Sequence, residues 1–468
     1  MPRKPMRDVV VLLPGITGSV LAKNGKDVWA ISPGAAVRAL FSLGRSIKDL
    51  ELSKDPPDVD DLGDGVTAPR VVPDIHFIPG LWKIDGYSKV GKAIQAGFDV
   101  QPGQNYFEFP YDWRRDNRVA ARRLAKQSHA WLKAWRERSG NDEAKLILVG
   151  HSMGGLVSRY FLECLEGWKS TRMLVTFGTP YRGSLNALGF IANGMEKKIG
   201  PFTVADLSGL LRSFTSVYQL LPVYPCFQGP GGRLVRISEA NIPNVERERA
   251  EAAREFHEEI RKAVEDNEKD DTYRRDRYLI RPVVGTFQPT AQSARPAGSD
   301  AVGLLRTYKG EDQGGDGTVP RVSATPLELG DNPSAMYAAE RHASLQNFDA
   351  VIQQLDGVLS GLDLDLSIYY AMNIQLSLDV EDAYLIDEQI SLRVHPQDPS
   401  VPLVAALLDE GNQVVTRKDL PPSDEEWREV RFDPQPAGTY RVTVRGEFGV
   451  DPVTDVFGVF SPEGELQE

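Results

Sequence analysis

The hydrophobic pattern divides the chain into three stretches. Up to about residue 180, short apolar runs alternate with longer amphipathic ones. Val9–Leu13, Tyr106–Phe109, Lys145–Val149 and Arg172–Phe177 are short and bounded by turn residues. They predict buried strands. Tyr87–Ala96 and Arg118–Ser139 carry apolar residues at helical spacing and predict helices. Strand and helix in alternation predict a parallel sheet covered on both faces. Residues from about 45 to 75 are irregular and rich in Asp and Pro. From 185 to about 225 the chain is apolar with few charges, as in Leu188, Phe190, Leu207, Leu211, Phe214 and Val217. Arg247–Glu268 is a charge-dense helix, and Tyr278–Gly285 restores a sheet strand. Residues 185–276 therefore read as an insertion that forms a helical cap. After about residue 365, Ile390–Val394, Leu403–Leu408, Gln413–Arg417, Glu429–Phe432, Thr439–Val444 and Val453–Phe460 are short strands separated by turn signals. They predict a small all-β sandwich. The expected organisation is an α/β domain over 1–365, with the cap at 185–276, and a β accessory domain over 366–468.

At 468 residues the chain is long for one domain, which agrees with this division. Lys+Arg is 54 and Asp+Glu is 66, a formal charge of −12. That balance, with no basic stripe, argues against nucleic-acid binding and against charge-driven attachment to anionic membranes. The basic start Met1–Arg7 precedes only five apolar residues before Pro14-Gly15, too few for a secretion signal. No run approaches the ~20 apolar residues of a membrane-spanning helix. The two cysteines, Cys164 and Cys226, have neither metal-ligand spacing nor the look of a disulfide framework. A cytoplasmic protein without cofactor or metal is expected.

The candidate chemistry centres on Gly150-His151-Ser152-Met153-Gly154. A strand precedes it and Gly155–Leu162 can continue as a helix. Strand, G-x-S-x-G and helix make the nucleophile elbow of α/β-hydrolases, which lifts a serine hydroxyl above the sheet. The fold class expected is therefore α/β-hydrolase. A serine needs a base, and the base needs an acid. In this fold the order is Ser, Asp or Glu, then His. Order rejects His76, His129 and His151. His257 lies on the charge-dense helix and is expected to be solvated, and His395 lies in the β region. His342 remains, in Arg341-His-Ala-Ser-Leu345. The acid lies between residue 285 and His342. Asp300, Glu311, Asp312, Asp316, Glu328 and Asp331 all qualify. Asp316 leads because the Gly-rich loop Gly314–Pro320 can fix a carboxylate, with Asp312 second. The oxyanion amides expected are Met153 and one from an early loop. Pro14-Gly15-Ile16 offers Ile16, and Pro79-Gly80-Leu81 competes.

Six segments in this order resemble the lecithin:cholesterol acyltransferase family. They are VVVLLPGITGSVL at 9–21, FPYDWR at 109–114, VGHSMGGLVSRYFL at 149–162, TFGTPYRGS at 176–184, GDGTVP at 315–320 and RHASL at 341–345. The resemblance covers roughly residues 8–360. It implies Ser152 as nucleophile, Asp316 as acid and His342 as base, with oxyanion amides at Ile16 and Met153. It places Tyr111, Asp112 and Trp113 near the site, shaping it and supporting nearby loops rather than doing chemistry. Tyr111 and Trp113, with Leu81 and Trp82, are the candidate substrate-pocket residues. It implies a lipase, phospholipase or O-acyltransferase that takes a lipid or ester substrate and touches membrane surfaces transiently through the cap. The β region lies outside the resemblance and is a candidate protein-binding module. A partner-binding protein with a silent hydrolase core is the alternative from another class, and the intact Ser-Asp-His order argues against it.

Overall fold

The computed structural model describes residues 2–29, 50–73, 76–78, 82–199, 202–329, 335–361, 374–446 and 450–461. Its centre is a six-stranded sheet. In chain order the strands are β1 (Val9–Leu13), β2 (Tyr106–Glu108), β3 (Leu146–His151), β4 (Thr171–Phe177), β5 (Leu279–Gly285) and β6 (Met336–Ala338). They lie side by side as β6-β5-β4-β3-β1-β2, every pair parallel. Period-two alternation decides which side chain goes where. Val9, Val11, Leu13, Leu146 and Leu148 join the apolar core on one face. Val10, Leu12, Ile147 and Val149 join the core on the other. Runs without polar alternation are required because both faces are covered.

Helices cover the faces as the pattern predicts. α1 spans Ser88–Gly97, α2 Asn117–Ser139, α3 Met153–Cys164, α4 Leu185–Asn193, α5 Arg247–Asn267 and α6 Asp349–Leu359. The start of α2 is fixed by Asp116, whose side chain accepts from the amide of Arg118. It stops at Gly140, in the left-handed region, with Arg136 and Arg138 on its last turn. No described helix is long and apolar enough to cross a membrane.

The insertion differs from the expectation in where its charged helix goes. Helix α5 buries Ala250, Ala253, Phe256, Ile260 and Val264. Phe256 stacks on Tyr160 of α3, ring centroids 5.5 Å apart. An apolar stripe on a charge-dense helix needs an apolar partner, and α3 supplies it. His257 is accordingly not solvated. It is half-buried, with Nε2 2.7 Å from the Gln219 carbonyl, and burial holds its pKa below the usual histidine value.

Beyond residues 362–373, which lie outside the described residues, eight strands form two sheets. They are β7 (Leu376–Val380), β8 (Ala383–Leu385), β9 (Ile390–Pro396), β10 (Leu403–Leu408), β11 (Val414–Leu420), β12 (Arg428–Phe432), β13 (Gly438–Gly446) and β14 (Val453–Phe460). The orders are β7-β9-β12 and β8-β14-β13-β10-β11. Alternate residues such as Leu378, Leu392, Val394, Leu407, Val430, Val442 and Phe457 meet in an apolar core of their own.

Candidate active site

Strand β3 delivers the chain to Ser152 at its C-terminal edge, and α3 begins one residue later. Ser152 sits at φ 51°, ψ −122°, a region costly for any residue with a side chain. The surroundings hold it there. Its amide donates to the Phe177 carbonyl at 2.8 Å, and its carbonyl accepts from Thr179 Oγ1 at 2.9 Å. Gly154 is required by space: a Cβ there would come 2.5 Å from the Pro14 carbonyl oxygen. The Pro14-Gly15-Ile16 turn therefore runs directly against the elbow.

Three loops converge at the serine. His342, in the segment after β6, has Nε2 3.0 Å from Ser152 Oγ and Nδ1 2.7 Å from Asp316 Oδ2. The carboxylate chemistry assigns the tautomer: Nδ1–H donates to Asp316, leaving Nε2 to accept from the hydroxyl. The other carboxylate oxygen of Asp316 accepts from the amides of Thr318, at 2.9 Å, and Val319, at 2.7 Å. The main chains are tied as well, with the His342 amide donating to the Asp316 carbonyl at 2.8 Å. Ser152, Asp316 and His342 are all buried. Gly178 enables the closeness. A Cβ on it would lie 2.7 Å from Asp316 Oδ2 and 2.8 Å from His342 Nδ1, and its φ is +54°.

The rival acids sit elsewhere. Asp312 accepts from Gln292 Nε2 and the Gly314 amide, and Asp300 pairs with Ser299. Glu328 pairs with Arg159. Asp331 lies outside the described residues.

A second layer was not legible in the chain order. His151, set aside as a base, has Nδ1 2.8 Å from the Tyr87 hydroxyl and Nε2 3.1 Å from the His342 carbonyl. The Gly15 amide donates to the same hydroxyl at 2.8 Å. A carbonyl can only accept, so Nε2 carries the proton and Nδ1 accepts from Tyr87. Burial, then the nearby His342, push the His151 pKa down to about 3, so the ring is neutral.

The expected pocket residues separate. Tyr111 and Trp113 are packed in the core rather than lining an open pocket. Tyr111 Oη donates to the Pro14 carbonyl at 2.9 Å, and Trp113 Nε1 to the Ser19 carbonyl at 2.9 Å. Their polar tips find buried carbonyls, which lets the rings stay inside. They brace the turn that carries Ile16. Leu81 lies outside the described residues. Trp82 opens a short strand, Trp82–Ile84. The competing Pro79-Gly80-Leu81 loop is likewise outside the described residues.

A cleft of about 370 Å³ borders Asp316 and His342. Asn186, Gly189, Phe190, Asn193 and Gly194 line one side, with Leu304, Thr318, Arg341 and Asp382. Of the insertion, α4 and the residue after it reach this cleft; α5 does not. A larger groove of about 890 Å³, between α2, α3 and α5, carries no residue of the Ser-Asp-His group. Among the described residues no cluster of His, Cys, Asp and Glu is suited to hold a metal ion.

A parallel sheet with a strained serine between strand and helix, facing a histidine and an aspartate, is the architecture of α/β-hydrolases. Residues 81–265 match the family model of lecithin:cholesterol acyltransferase, so the resemblance seen in the motifs is shown over that segment. It contains Ser152 and Met153 and ends before Asp316 and His342. Lecithin-cholesterol acyltransferase-like 4 of Arabidopsis thaliana is 27% identical over 252 residues, 46% of this chain and 43% of that one. The lysosomal phospholipase A and acyltransferase of Homo sapiens is 27% identical over 154 residues, 31% of this chain and 35% of that one. The chain thus spans less than half the length of either curated relative. A chain of the Tle4-Tli4 complex superposes with a TM-score of 0.48 at 15% identity, covering 78% of this chain and 100% of that one. That degree of similarity supports no functional inference.

Proposed function

We propose that the chain is a serine esterase acting on acyl esters of lipids through a Ser152-Asp316-His342 triad. The observation that carries this reading is the unbroken hydrogen-bond series from Ser152 Oγ through His342 to Asp316. His342 takes the serine proton as Oγ attacks the ester carbonyl. Asp316 holds the ring and stabilises its charged form. The amides of Ile16 and Met153 receive the oxyanion, on turns that abut at Gly154. His342 then protonates the leaving alcohol and activates water to release the acyl group. No metal or redox group is needed for these steps.

The lipid substrate is supported by the family match and by the name of the human relative, a phospholipase A and acyltransferase. That name also favours a second reading, transfer of the acyl group to an alcohol. We assign residues 1–365 to the hydrolase domain and 366–468 to the β accessory domain. Within the 185–276 insertion the cap function falls to α4, which lines the cleft. Transient membrane contact through that cap belongs to the same reading. The two free cysteines support a reducing, cytoplasmic setting, although the human relative is lysosomal by name.

Ser152→Ala tests the proposal. The folded variant is expected to lose fluorophosphonate labelling and release of fatty acid from a total lipid extract. Retained labelling sinks the assignment. Adding an alcohol acceptor and identifying the products by mass spectrometry separates hydrolysis from transfer.

A further inference from the structure

We infer that the C-terminal β region is a working part of the active site: it positions the base through ties to the two residues before it, and the acid through Gln288, whose main chain is bonded to the residue before Asp316. The inference rests on the triad reading.

The tie on the base side runs through the two residues before His342. Arg341 Nε donates to Asp455 Oδ2 at 2.9 Å, and the Asp455 carboxylate is fully buried. Glu340 Oε1 accepts from the Arg341 amide at 2.8 Å and from the Thr454 amide of β14 at 3.1 Å. One strand of the β region thus grips two consecutive residues of the loop that presents the base. A buried, charge-assisted contact of this kind has one good geometry, so the loop inherits the position of β14.

The tie on the acid side is separate. The Gln288 amide donates to the Gly315 carbonyl at 2.9 Å, next to Asp316. Its buried side chain reaches the opposite way and joins β7: Nε2 donates to the Leu376 carbonyl at 2.9 Å, and Oε1 accepts from the Leu378 amide at 3.2 Å. A primary amide placed this way substitutes for one residue of a neighbouring strand. Ser377 Oγ also donates to the Phe287 carbonyl.

An appendage held on merely for proximity could dock by apolar contact on any face of the core. Here buried polar contacts of β7 and β14 fall on residues 287–288, whose main chain is bonded to Gly315, and on residues 340–341 before His342, and a further one joins Arg441 to Asp85. The β region also reaches the cleft itself, since Asp382 borders it beside Arg341 and His342. A misplacement of about 1 Å in a reacting group can cost 10²-fold in rate. The braces therefore act on turnover rather than on substrate affinity.

The test uses the full chain with D455N, which keeps the side-chain shape and removes the charge, and with Q288M, which removes the side-chain bonds to Leu376, Leu378 and Ala339. Each is assayed for kcat and KM on a soluble acyl ester and for its melting temperature. The expected result is a fall in kcat of at least tenfold with KM within twofold, at temperatures where the variant is fully folded. Q288M acts at a site away from Asp455, so a D455N chain that fails to fold leaves the question to be decided by Q288M. Wild-type kcat in a folded variant, or a loss matched by the unfolded fraction, overturns the proposal. An S152A chain that still cleaves the ester instead overturns the triad reading beneath it.

Discussion

His151 Nε2 donates to the main-chain carbonyl of His342 over 3.1 Å, so the residue before the serine holds the loop of the histidine that faces it. The same imidazole reaches Tyr87, whose hydroxyl accepts from the amide of Gly15. One neutral ring thereby connects the base loop to the turn carrying Ile16. Y87F keeps the ring and removes the hydroxyl, leaving the Gly15 amide and His151 Nδ1 buried without that partner. A loss of about 1–3 kcal/mol in unfolding free energy is expected. Urea denaturation measures it, and an unchanged midpoint would show that the bridge contributes nothing.

Asp316 and Asp312 are four residues apart in one Gly-rich loop, and only Asp316 faces His342. D316N preserves shape but disfavours the tautomer in which Nε2 accepts from the serine. Turnover is expected to fall on the order of 10⁴-fold. D312N should leave turnover within a few-fold. Parallel kcat measurements decide between the two, and equal effects would remove Asp316 as the orienting acid.

Five of the six sheet strands were legible from short apolar runs bounded by turn residues, whereas the three-residue edge strand β6 was too short to stand out. Val9–Leu13 is such a run, and its alternate residues fill the two cores. That Ser152 and His342 would meet was legible from the Gly spacing of the elbow, a local signal, and from the order of residues along the chain. The roles of Tyr87 and His151 were not, because a hydrogen bond across 64 residues leaves no mark in spacing. Tyr111 and Trp113 misled as pocket residues for a related reason: a motif shows no burial, and their polar tips bind the Pro14 and Ser19 carbonyls inside the core. Helix α5 misled because an insertion in a hydrolase suggests a cap, whereas its apolar stripe matches α3. The ties to Asp455 and Thr454 join residues more than a hundred positions apart.

Gly178 gives a prediction that concerns packing alone. It follows the last residue of β4, at positive φ, with the Asp316–His342 pair where its side chain would be. G178A must either push the pair apart or shift the strand end. The expected outcome is a protein that folds with reduced stability and reacts with a fluorophosphonate at least tenfold more slowly. Labelling at the wild-type rate would mean the pair can yield without loss.

Glu340 yields a pH dependence of stability with a definite sign. Burial pushes its carboxyl up to about 8, against the opposing pull of the Arg341 and Thr454 amides, with Asp455 and Asp85 adding to the rise. The unfolded chain releases this proton near the ordinary glutamate value, about 4.3. Between those two values the folded state holds one proton more than the unfolded state. Stability therefore falls as pH rises through that window, with this group contributing at most about 1.4 kcal/mol per pH unit. E340Q retains an acceptor for the two amides and cannot ionise. Its unfolding free energy, measured in urea from pH 5 to pH 8, is expected to fall less with pH than that of the wild type. The variant should accordingly gain on the wild type towards pH 8, and parallel curves would show that Glu340 titrates normally in the folded chain.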